Sequence, residues 1–348
     1  MAGRPAEVYR RFGEGDAAKA SPLYARIAVA VSESDEALRA IEQAPARKRQ
    51  PALILAALHD LALSGQSPAL AAAYAAGGDD AVGVAVETLV RSADDVAGIA
   101  GRRVVRGNEG GRGAVLYPAV AQVADGRAVG LIDVGCSAGL NLTVDRVGIA
   151  YSNGQYLGDE TSPVQLTCSV VGDRALPTRA MPEVVTRIGV DVDPVDVTDP
   201  EESRWLRACV PPDQPEKLAR LEAELALATS APPELVQGDV VEMLPEALSR
   251  VPKDALPVVT TTWALSRLSI EERLRFLHRL DEAATDRPVA WVSVEGVGVA
   301  PAVPTLGDRR ASGHSIIGLA VFEASTLRTE AVGRCWSQGR LMAWLADS

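Results

Sequence analysis

The sequence predicts an α/β chain: a doubly wound, mostly parallel sheet behind an N-terminal helical subdomain. Three observations carry that expectation. The first hundred residues hold successive amphipathic segments separated by short Gly and Pro breaks. From Val129 onward, short apolar runs alternate with polar or helical stretches. One of these runs, "LIDVGCSAGLNL" (Leu131 to Leu142), ends in a small-residue turn of the kind that opens a ligand-binding strand-turn-helix.

The helices come first. "SPLYARIAVAVSES" pairs a Ser21 cap with Pro22 in the first turn. "DEALRAIEQA" starts on two acids, and "QPALILAALHDLALSGQ" is strongly apolar and stops at Gly65. "SPALAAAYAA" repeats the Ser-Pro start and halts at Gly77-Gly78, and "DDAVGVAVETLVRS" follows. These define a helical subdomain over residues 1–120, ahead of an α/β domain over 121–348.

The strands follow: "AVGLIDVG", "VVTRIGVDVDP", "PELVQGD", "ALPVVTTTWAL" and "RPVAWVSVEG". "SIEERLRFLHRLDEAAT" is a helix between the last two, and "SIIGLAVFEA" with "GRCWSQGRLMAWL" reads as a closing strand pair. Residues 151–184 are rich in Gly, Pro, Thr and Asn and break the alternation. They read as a hairpin or loop insertion, either a lid or substrate wall or a plain surface elaboration.

Composition excludes several classes of partner. A net charge of -11 with 4% aromatic residues argues against nucleic acid and anionic membranes. Four cysteines and three histidines lie far apart, with no zinc spacing, so no metal is expected. The first twenty residues lack a signal-peptide core, and a cytoplasmic location is expected.

The candidate site residues gather at predicted strand ends. Gly135 and Gly139 allow the turn, Ser137 adds a hydroxyl, and Asn141 lies in the next helical turn. Such a turn, opening a helix, offers backbone N–H groups to a cofactor or an anion. Asp133 sits at the strand end before it. Asp191, in "GVDVDP", is placed to accept from a ribose diol, and Asp239, in "GDV", to meet an adenine amino group or to cap a helix. Glu295 closes the fifth strand and is expected to face the same crevice as Asp133 and Asp191. Asn108, Glu109 and Arg112 fall in the Gly-rich "RGNEGGRG", as cleft lining or as a structural pair.

The order of these elements resembles a class I S-adenosylmethionine-dependent methyltransferase. More closely, almost the whole chain is similar to an actinobacterial family of unknown function with a methyltransferase-like core. The matching segments are "NEGGR" (Asn108 to Arg112), "GCSAGLNL" with Asp145-Arg146, "GVDVDPVDVTDP", "WLRACVPPDQPEKLARL" (Trp205 to Leu221), "GDVVEML" and "GRLMAWL". The chain departs from the family pattern where histidines are expected, in "VVTTTWAL" and "WSQGRLMAW". Those departures and Ser137 point to a repurposed member, and a kinship with the aziridine-forming enzymes of azinomycin and vazabitide biosynthesis is drawn from them, not from a shared motif. Those enzymes work with a small partner protein and expel sulfate from an amino-acid derivative.

The resulting expectation is an enzyme of specialised metabolism that performs nucleophilic substitution at carbon by an amine, closing an aziridine ring without a cofactor. Glu109, Asp133 or Glu295 would accept the proton. The turn, with Arg112 or Arg146, would hold the leaving anion. The alternatives are an S-adenosylmethionine-dependent small-molecule methyltransferase and a catalytically inactive binding subunit.

Overall fold

The computed structural model describes residues 5–107, 111–324 and 326–346. Eleven strands form one sheet: β1 (Val129–Val134), β2 (Gly148–Tyr151), β3 (Tyr156–Gly158), β4 (Gln165–Val170), β5 (Val184–Asp191), β6 (Glu234–Gln237), β7 (Leu256–Thr262), β8 (Val289–Gly296), β9 (Ser315–Glu323), β10 (Thr326–Trp336) and β11 (Leu341–Trp344). Their order is β3-β2-β4-β11-β10-β9-β8-β7-β1-β5-β6. The five strands from β6 to β8 are mutually parallel, as the alternating pattern predicts. β5 and β6 lie to one side of β1, β7 and β8 to the other. The strand order therefore reverses between β1 and β7, where open α/β sheets bind ligands.

Both faces of the central strands are buried, so β1 and β7 are apolar on both sides until their carboxyl ends, where Asp133 and Thr260 to Thr262 stand. Leu131, Val258, Val292 and Val294 pack into one core with the helix Gly113–Ala124. Ile132, Val134, Val259 and Trp291 pack into the other, with Phe276 and Leu280 of the helix Ile270–Ala283.

Two parts differ from the sequence reading. The closing pair is a three-strand antiparallel meander, β9-β10-β11, whose long middle strand includes "TEAVGRCW". The insertion at 151–184 extends the sheet. β3 pairs back on β2, and β4 runs parallel to both β2 and β11. Its alternating buried and exposed residues mark a strand with one covered face.

The chain divides into two compact units: Met1–Asn108 with Asp199–Glu222, and Glu109–Thr198 with Ala223–Ser348. The helix Gly113–Ala124 thus belongs with the sheet although it begins before residue 121. The first unit is helical. Ser21 caps Pro22–Glu33 by accepting from the Tyr24 N–H, as its Ser-Pro start predicts. The segment from Asp199 completes this unit. Trp205 is buried in its core and donates its indole N–H to Val104 O (2.8 Å). Arg204 pairs with Asp60 (2.9 Å), and Arg103 with Glu202. Asp213 accepts the Ser21 hydroxyl (2.6 Å) and the Leu23 N–H (2.9 Å). The motif "WLRACVPPDQP" is therefore a staple within the helical unit. Among the described residues no helix is long and apolar enough to cross a membrane.

Candidate functional site at the strand-order reversal

Asp133 and Thr260 face each other in register across β1 and β7. Thr262 lies two residues further along β7 and so shares their face. The Thr260 hydroxyl donates to Asp133 Oδ1 (2.8 Å) and the Asn141 amide to Oδ2 (3.0 Å). Asn141 Nδ2 also reaches Thr262 Oγ1 (3.3 Å), which accepts in addition from Arg112 Nη1 (3.2 Å). The Arg112 guanidinium lies 5.2 Å from the ring centre of Trp263. A continuous polar chain thus links Arg112, Thr262, Asn141, Asp133 and Thr260 at the carboxyl ends of β1 and β7.

Asp133 is 1% exposed. Burial pushes its carboxyl up to about 6, against the pull of the Thr260 and Asn141 hydrogen bonds and the Arg112 charge. A cavity of about 30 Å³ lies beside this chain, lined by Arg112, Asn141, Glu224 and the backbone of Gly111 and Gly113, with Val164 and Leu166 as an apolar wall. That volume admits a water-sized group. Asp133 does not line it. Asn141 stands between, so Asp133 orients the amide that the cavity sees.

The turn after β1 departs from the expectation. Gly135 and Gly139 do take positive φ (74° and 68°). At Gly135 an added Cβ would come within 2.9 Å of Ala264 Cβ, which explains the glycine. However, the turn opens a seven-residue 3-10 run, Leu140–Arg146, interrupted at Thr143, and no α-helix follows. Several of its amides also have protein acceptors. Gly135 N–H donates to Val190 O, Ser137 N–H to Asp191 Oδ2 and Gly139 N–H to Cys136 O. The turn lacks the α-helix dipole that the sequence suggests would back it. Ser137 has φ 50°, and its hydroxyl is buried without a hydrogen-bond partner.

Asp191 ends β5, where the sequence puts it, with both oxygens on its own backbone: Oδ2 takes Ser137 N–H and Oδ1 takes Asp193 N–H, each at 2.9 Å. Asp239 accepts from Val241 N–H (3.0 Å) and Glu242 N–H (3.1 Å), the geometry of a cap. Asp145 forms a two-armed ion pair with Arg187 (2.9 and 2.8 Å), and Arg146 reaches Ser230. Neither lines the cavity. Asn108 and Glu109 lie outside the described residues.

Glu295 is a correction. Thr262 pairs with Val294, so Val294 shares the face of Asp133 and Glu295 points to the other. There it accepts the Ala264 and Leu265 N–H groups (2.9 and 3.0 Å) through Oε1, while Oε2 is buried without a partner. Burial pushes its carboxyl up to about 7, with those two N–H bonds opposing. The expected convergence of Glu295 with Asp133 and Asp191 does not occur.

Four site residues escape the sequence reading: Thr260, Thr262, Trp263 and Glu224. "TTTW" at the end of a buried strand carries a signal, because alternation puts the first and third hydroxyls on one face. Glu224 interrupts the apolar stripe Leu221, Leu225, Ala228 of the helix Pro215–Ser230, all buried with it. Among the described residues no three His, Cys, Asp or Glu side chains gather as a metal site.

Residues 6–344 match the model of a family described as an uncharacterized protein conserved in bacteria (DUF2332). The chain belongs to this family. No curated protein and no solved structure matches it. The family match spans residues of both units.

Proposed function

We propose that this DUF2332 protein is a small-molecule enzyme that catalyses substitution at carbon by an amine, without S-adenosylmethionine. The observation that carries the reading is the pairing, in one cavity wall, of a guanidinium on an aromatic ring and a buried carboxylate, Arg112 and Glu224. Such a pair suits an anionic leaving group at one end of a substrate and an ammonium at the other. In ring closure the ammonium gives its proton to Glu224. The freed nitrogen pair forms a bond to the neighbouring carbon, the carbon–oxygen bond breaks, and sulfate leaves with the electrons of that broken bond, drawn by Arg112. Asn141, whose two amide hydrogens are held by Asp133 and Thr262, offers its carbonyl oxygen to the substrate ammonium as an acceptor. Positioning of this kind supplies much of the barrier reduction in an intramolecular displacement.

We read S-adenosylmethionine as the less favoured ligand of this turn. Several turn amides already have protein acceptors, and each oxygen of Asp191 already accepts one backbone N–H. The small cavity also favours a second reading, a catalytically inactive binding subunit, because an amino-acid-sized substrate enters only when side chains part.

The test is sulfate release from serine O-sulfate, with the product identified by mass, alongside calorimetry with S-adenosylmethionine. The expected result is an aziridine carboxylate, no cofactor heat, and turnover lowered about 10²-fold in Glu224→Gln and in Arg112→Ala. Micromolar cofactor affinity restores the methyltransferase reading. Neither turnover nor cofactor binding leaves the binding subunit.

A further inference from the structure

Trp263 is held with unusual care. It follows the last residue of β7 and has φ 57°, a left-handed conformation that a bulky side chain avoids. Such a residue persists only where its surroundings over-determine it, and residues of this kind cluster at functional sites. Its own N–H donates to Val294 O (3.0 Å). The next two N–H groups, of Ala264 and Leu265, are both taken by Glu295. Its indole N–H donates to Ser315 Oγ (2.8 Å). Two strands thus hold this residue, β8 through Val294 and Glu295 and β9 through its first residue, Ser315. The ring carries the Arg112 guanidinium, which is tied in turn to Thr262, the residue before Trp263.

We propose that Trp263 is a positioning residue whose ring, clamped by Glu295 and Ser315, sets the Arg112 guanidinium in the cavity wall. A flat guanidinium on an indole face loses the freedom to rotate and keeps its in-plane donors directed along the ring. Glu295 has a role that its place in the sequence conceals. It lies on the opposite face of the sheet from Asp133 and reaches the site through the turn it caps. The inference deepens the reading of Arg112 as the anion-holding group and rests on it for its functional meaning.

The test reads Arg112 directly and needs no substrate. Arginines of the intact protein are modified with phenylglyoxal, and the rate at each site is followed by peptide mass spectrometry. Arg204, paired with Asp60 in the helical unit, serves as the internal reference. Trp263→Leu removes the ring, Trp263→Phe keeps a weaker one, and Glu295→Gln loosens the clamp. The expected result is a rise at Arg112 of about 3- to 10-fold in Trp263→Leu, the range that loss of a cation–π contact implies. A smaller rise is expected in Trp263→Phe and Glu295→Gln, with Arg204 unchanged in all three. If Trp263→Leu does not fold, Arg204 rises with Arg112, and the Phe and Gln variants decide. An Arg112 rate equal to wild type in the folded variants overturns the proposal. Failure of sulfate release with a raised Arg112 rate overturns only the assigned reaction.

Discussion

The helical unit and the sheet unit put buried carboxylates to different uses. In the helical unit Asp60, 6% exposed, meets Arg204, and half-buried Asp213 closes the start of a helix through the Ser21 hydroxyl and the Leu23 N–H. In the sheet unit Asp133 and Glu295 are each 1% exposed and are held by neutral donors: a hydroxyl and an amide for one, two backbone N–H groups for the other. An opposite charge offsets the loss of water around a carboxylate, and neutral dipoles offset less of it. Asp133 and Glu295 are accordingly pushed up to about 6 and about 7. The sheet unit contains its own control, since Asp145 is matched by Arg187 in a two-armed pair. Asp60 and Asp145 are paired with arginines and hold the fold, whereas Asp133 and Glu295 stand at strand ends around Arg112 and Trp263.

The largest effect expected from breaking this comparison lies in the helical unit. Trp205→Ala empties a fully buried site and removes the bond to Val104 O. It should destabilise the protein by about 3–5 kcal/mol, measured by urea unfolding. A loss below about 1 kcal/mol would mean that the segment from Asp199 does not staple the helices, and the contrast between the units would lose one side.

The next effect is a pH dependence. The Asp133 carboxyl moves from an ordinary 3.8 to about 6 on folding. The folded state therefore holds its proton over a range where the unfolded chain releases it. Its contribution to stability is fully present below about pH 4 and is lost as pH rises through about 6. At about 1.4 kcal/mol per pH unit that amounts to about 3 kcal/mol. The unfolding free energy of wild type minus that of Asp133→Asn should fall by this amount between pH 4 and 7. A flat difference would mean that Asp133 is compensated as fully as the paired acids are.

Much of this contrast was legible before any fold was known. "LIDVG" and "GVDVDP" locate β1 and β5 with an acid at each end, and Ser21-Pro22 marks a helix start that the structure bears out. Periodicity carries such information because it is local. The face on which Glu295 lies depends on its register with β7, and a single strand's alternation does not contain that register. The union of the segment from Asp199 with the first hundred residues rests on contacts such as Trp205 to Val104, more than a hundred positions apart. The missing α-helix after Gly139 has a local cause that propensity overlooks. Thr143 takes φ −97° and ψ 15° and turns its hydroxyl to Leu140 O, so the run stays 3-10. In "VVTTTW" the site groups are the Thr260 and Thr262 hydroxyls, which alternation places on one face.

The smallest expected effect separates a cap from a ligand group. Asp239 occupies the place where an adenine-binding acid would stand, and its Oδ1 receives two backbone N–H groups at the start of the turn before Leu244–Arg250. A cap needs an acceptor oxygen and not a charge, so Asn serves nearly as well as Asp. Asp239→Ala should cost about 1 kcal/mol and Asp239→Asn a few tenths, both read from urea midpoints. Turnover of serine O-sulfate should be the same in wild type and in Asp239→Asn. The pH dependence assigned to Asp133 should persist in both variants, because Asp239 is not among the groups that shift it. A stable Asp239→Asn that loses turnover would show that the carboxylate itself meets a ligand. The third strand end would then join the site, and the division between structural and chemical acids would have to be redrawn to include an acid that already caps a turn.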